Sequence, residues 1–93
     1  MKTNWEECYY EMLLDKREEC ENDLLPLLDE LLDIAKRPRD ESRQAALLEF
    51  SKIAWRGYRC EDKRKEMLCG LMIQYLSCVL DLSGWPEEIM YPG

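Results

Sequence analysis

Apolar residues recur along this chain at the three-to-four spacing of helices, and punctuation separates them into four stretches. Trp5, Cys8, Tyr9, Met12 and Leu13 fall at i, i+3, i+4, i+7 and i+8, one face of a helix from about Trp5 to Cys20. Asn4 or Thr3 can cap it, and Thr3 with Glu6 has the spacing of a capping box. Leu24, Leu27, Leu28, Leu31, Leu32 and Ala35 repeat the pattern in a second helix, from about Leu24 to Arg37. Pro26 belongs in its first turn, where no intrahelical hydrogen bond is lost, with Asn22 or Asp23 as cap. Lys36 and Arg37 suit the negative end of that helix dipole, and Pro38 stops it.

Asp40 is placed to cap a third helix, from about Glu41 to Trp55, with Ala46, Leu47, Phe50, Ile53 and Ala54 inward. Gly57 is expected to end it in a left-handed conformation. A fourth helix, from about Asp62 to Leu82, carries Leu68, Leu71, Met72, Tyr75, Leu76 and Val79, and Ser83 with Gly84 closes it. Gly70 inside it costs about 1 kcal/mol relative to alanine and allows close approach of a neighbour. No stretch alternates at period two, so no sheet is expected. The fold class is therefore all-α, a small antiparallel bundle of about four helices. A continuous third-plus-fourth helix running through Gly57 is the alternative, and such a hairpin would dimerise to bury its faces. Residues 1–84 form the bundle domain and 85–93 a tail, either folded back over the bundle end or extended as an aromatic hook carrying Trp85 and Tyr91.

Ninety-three residues make one domain with one modest core. With 46% hydrophobic and 35% charged residues, that core must sit under strongly charged outer faces. The longest apolar-leaning stretch, Met67 to Leu82, is interrupted by Gln74, Ser77 and Asp81 and is too short for a bilayer. Glu6 and Glu7 follow Trp5 where a signal peptide needs an apolar run, so a cytoplasmic location is expected and no membrane partner. Cys8, Cys20, Cys60, Cys69 and Cys78 are odd in number and include no C-x-x-C pair, which argues against a disulfide framework. They read as small apolar residues, with metal binding and redox sensing as the alternatives.

Histidine is absent, which removes the commonest general base, the Cys-His and Ser-His nucleophile pairs, and the helical ligands of di-iron bundles. No glycine-rich phosphate loop occurs. A non-enzymatic chain without a cofactor is expected, with no catalytic, cofactor-binding or metal-ligating residues assigned.

Charge divides unevenly. Residues 1–35 carry a net −8, residues 36–65 a net +5 and residues 66–93 a net −4, giving −7 for the whole. Acidic and basic faces can complement one another inside the bundle, or the surface can be dipolar and steer the chain to a partner. In the second case Glu7, Glu11, Asp15, Glu18, Glu19 and Glu21 form an acidic face for a protein with a basic surface. The expected function is a protein-binding module of the inhibitor, immunity or anti-defence kind. Lys52, Trp55, Arg56, Tyr58, Arg59, Lys63 and Arg64 form the alternative, a basic and aromatic patch within 52–65 for a nucleic-acid-associated regulator. A pI near 4.6 argues against direct nucleic-acid binding. A structural homo-oligomer, at its simplest a homodimer, is the third reading.

Overall fold

In a computed structural model, which describes residues 4–80, the chain folds into four α-helices. They are α1 (Trp5–Glu19), α2 (Leu25–Ala35), α3 (Glu41–Tyr58) and α4 (Lys63–Val79). Among the described residues there is no strand. The tail 85–93, the Ser83–Gly84 stop and the Thr3 half of the capping box lie outside the described residues.

Caps explain most of the boundaries. Asn4 accepts from the Glu7 amide, Asp40 from the Arg43 amide, and Asp62 from the amides of Arg64 and Lys65. Each satisfies amides that a helix start leaves unpaired. Helix α2 differs from the expectation. Neither Asn22 nor Asp23 caps it; a turn over 22–24 leads in, Leu24 holds the cap position without a side-chain bond, and Pro26 stands in the first turn as anticipated. The Leu24 carbonyl accepts from the Leu28 amide at 3.3 Å, so the turn feeds the helix directly.

Helix α3 packs most closely on α4, α4 also on α1, and α2 closes the arrangement between α3 and α1. Arg64 at the start of α4 reaches Glu21 and Asp23 just after α1, whereas Gln44 early in α3 reaches the Val79 carbonyl late in α4. Consecutive helices therefore run antiparallel, up-down-up-down. The starts of α1 and α3 share one end with the finishes of α2 and α4. Short connections favour this topology.

The core is aliphatic with one phenyl and one phenol: Leu13, Leu28, Leu31, Leu47, Phe50, Met72, Tyr75 and Leu76 are all nearly or wholly inaccessible. Each such side chain stabilises the fold by about 1.5–3 kcal/mol relative to exposure.

Four expectations differ from the structure. On α1, Trp5 and Met12 are 56% and 45% exposed, and Leu13 is the helix's one buried residue. The stripe turned to the bundle is Glu6, Tyr10, Leu13, Arg17 and Cys20, whose polar members are paired to Arg39 and Asp29. On α3, Ile53 faces out, and the inner stripe is Arg43, Leu47, Phe50, Ala54 and Gly57. Gly57 does not end the helix, which continues to Tyr58; it is buried inside it. The continuous α3–α4 alternative is excluded by the break between Tyr58 and Lys63, where Asp62 starts a new helix.

All five cysteines are free thiols. Only Cys69 is fully buried; Cys8, Cys20 and Cys60 are half-buried and Cys78 is exposed. The small-apolar reading therefore fits Cys69 fully, Cys8, Cys20 and Cys60 in part, and the exposed Cys78 not at all. Burial pushes the Cys69 thiol up to about 11, with Lys65 opposing. No helix among the described residues is long and apolar enough to cross a membrane.

Candidate functional site

Helix α1 turns its acids outward in order. Glu7, Glu11, Asp15 and Glu18 stand at i, i+4, i+8 and i+11, one ridge of the helix opposite the Leu13 stripe, and all four are exposed. Among the described residues no cation lies within ion-pair distance of any of them; Glu7 meets the Asn4 amide at 3.5 Å. Four neighbouring carboxylates without countercharge make a local negative field.

The remaining two members of the expected acidic face are drawn away from it. Glu19 pairs with Lys16 at 3.8 Å, and Glu21, beyond the helix end, bonds to Arg64. Arg64 also binds Asp23 and Asp62, each at 3.2 Å. Its guanidinium is thus held at the centre of three carboxylates, tying the α1–α2 connection to the start of α4. That employment removes Arg64 from the expected basic patch.

The rest of that patch is partly assembled. Lys52 and Arg56 lie at i and i+4 on the outer side of α3, Arg59 caps its end, and Lys63 opens α4. Lys52 is paired with Glu49 at 3.1 Å, and Arg56 Nε donates to the Lys52 carbonyl at 3.4 Å. Trp55 is half-buried, packed against the core, and meets Tyr58 edge-on with ring centroids 5.8 Å apart. Tyr58 is the more exposed ring, so the aromatics offer one accessible face rather than a stacking platform.

A third feature went unanticipated. A cleft of about 370 Å³ opens at the end of the bundle where α1 and α3 begin. Tyr10, Tyr75, Arg37, Arg39 and Arg43 line it, together with Glu6, which pairs with Arg39, and Glu7. Tyr10 and Tyr75 are tilted against each other at 6.1 Å. Arg43 is only 4% exposed and donates to the Tyr75 hydroxyl and the Ala35 carbonyl, each at 3.4 Å. Burial pushes the Tyr75 phenol above its ordinary value, with the Arg43 charge opposing. The signal for this site was present in the sequence: Arg43 stands in phase with Leu47, Phe50 and Ala54, an arginine at a core position.

Among the described residues no group of three or more cysteine, aspartate or glutamate side chains is arranged to hold a metal ion. Comparison with protein-family models, with curated proteins and with solved structures finds no match.

Proposed function

We propose that this chain is a non-enzymatic protein-binding module that occupies a basic surface on another protein with the outer ridge of α1. The supporting observation is that, among the described residues, four unpaired acids stand together on one ridge of α1, whereas the other unpaired glutamates, Glu30, Glu41, Glu61 and Glu66, lie elsewhere in the fold. Glu19, Glu21, Asp23, Asp29, Asp33, Glu49 and Asp62 all have cations of this chain within ion-pair distance. Glu7, Glu11, Asp15 and Glu18 do not, among the described residues. Charges satisfied internally contribute to the fold, whereas an unneutralised ridge on a rigid helix accelerates and orients encounter with an opposite charge. Small inhibitors, immunity proteins and antagonists of host defence work by such occupation. Five free thiols suit action in a reducing, intracellular setting.

The test is a pair of captures from the source cell with the full chain and with Glu11→Lys/Asp15→Lys/Glu18→Lys, both first shown helical by circular dichroism. The expected result is a basic protein retained by the unaltered chain, eluted by raised salt and lost from the reversed one. Equal retention by both would place the binding surface elsewhere.

A further inference from the structure

Arg43 is a buried cation with no carboxylate on its guanidinium among the described residues. The other two guanidiniums of the bundle-end cleft have carboxylates: Asp33 for Arg37, at 3.2 Å, and Glu6 for Arg39. Arg43 has none among the described residues. Its Nη2 makes two long bonds to neutral oxygens, and its buried Nε has no acceptor there. A charge withdrawn from water without a partner is costly, and replacing it by an apolar residue would ordinarily relieve that cost. Two helices start and two finish at this end, so their dipoles oppose one another and the attraction for an anion comes from the guanidiniums, against the carboxylates of Glu6 and Glu7.

We infer that this cleft binds a tetrahedral oxyanion, of which a phosphate group is the type, between Arg43, Arg37 and Arg39. The hydroxyls of Tyr10 and Tyr75 serve as neutral donors. The five residues arrive from α1, the α2–α3 connection, α3 and α4. Donors converging from several directions match a tetrahedral acceptor, whereas a planar carboxylate is served by a single guanidinium fork. Glu6 is the internal competitor: on Arg39 it occupies the position that the incoming anion takes over. The cleft adjoins the α1 ridge at Glu7, which lines both, but its binding groups are the three guanidiniums and two phenols, none of which belongs to the ridge.

The measurement is a titration of the full chain with inorganic phosphate at constant ionic strength, followed by backbone and Arg side-chain NMR shifts and by Tm. Sodium chloride and sodium acetate are the comparison arms. Phosphate is expected to shift the Arg43 and Tyr75 signals saturably and to raise Tm progressively with concentration. Arg37→Gln/Arg39→Gln, which alters exposed side chains only, should weaken binding about tenfold or more. Glu6→Gln should tighten it, an effect that a purely structural cluster would not produce. Arg43→Met should abolish it; if that variant does not fold, the rim variants decide. Phosphate acting no differently from chloride, acetate binding equally well, or the double variant binding like the unaltered chain would each overturn the inference.

Discussion

Gly57 on α3 and Cys69 on α4 meet so closely that a Cβ on the glycine would lie 2.3 Å from the Cys69 Sγ. At the next position along α4 the roles are exchanged: a Cβ on Gly70 would touch the Tyr58 ring at 3.3 Å. Two glycines, one from each helix, thus set the approach of the most extensive helix pair in the fold. Neither has an unusual backbone conformation; what each supplies is the absence of a side chain.

Gly57→Ala is expected to destabilise the protein. Helix propensity alone favours alanine by about 1 kcal/mol, but inserting a methyl into a filled contact costs about 1–3 kcal/mol. Cys69→Ala removes the colliding sulfur, so Gly57→Ala/Cys69→Ala should lose less stability than the two single changes added together. Urea denaturation of all four chains measures that coupling. Strict additivity would mean that Cys69 turns aside without cost.

Asp62 links stability to acid. The side-chain bond from Arg64 is the largest influence holding its carboxyl below the ordinary value; desolvation opposes it, and the amides of Arg64 and Lys65 help. A carboxylate whose folded pKa is depressed contributes stability above its unfolded pKa of about 3.9, and the contribution disappears as pH falls through the lower folded value. Asp62→Asn should therefore lower Tm at pH 7 and leave it little changed near pH 2. Salt should weaken the Arg64 cluster at pH 7, because every member is solvent-accessible. An Asp62→Asn penalty of the same size at pH 2 and pH 7 would contradict the assignment.

Thiol reactivity should follow exposure. Cys69 is fully buried with its pKa raised to about 11, so little thiolate is present at neutral pH. Alkylation of the native chain by iodoacetamide, read by mass spectrometry, should modify the exposed Cys78 before Cys69. Cys69 should react only after urea is added. Early labelling of Cys69 would show that α3 and α4 separate readily.

The helix count and the core of α2, α3 and α4 were legible because Leu28, Leu31, Leu47, Phe50, Met72 and Leu76 repeat in phase, which hydrophobic periodicity detects. Helix α1 was misread because periodicity counts apolar residues and cannot see ion pairs. Its inner stripe is flanked by Glu6 and Arg17, each satisfied by an arginine or aspartate far along the chain. Trp5 and Met12 made a more apolar stripe beside it, yet both are exposed, and Trp5 stacks on Tyr9, which is itself half-buried against the core. Gly57 misled for a related reason: near a helix end, glycine usually signals termination, and only the packing against Cys69 reveals its use. The acidic ridge was readable as composition. Which of its six acids remain unneutralised depended on where Arg64 and Lys16 reach, which is tertiary information.

The function proposed for the α1 ridge depends on which side of the molecule meets a partner. A photo-crosslinking amino acid placed at position 11 on the α1 ridge, or at position 52 on the α3 stripe, addresses that in the source cell whatever the partner's identity. A discrete protein adduct from position 11, suppressed by high salt and missing from position 52, is the predicted result. An adduct formed from position 52 alone, whether with a nucleic acid or a protein, would contradict the central claim.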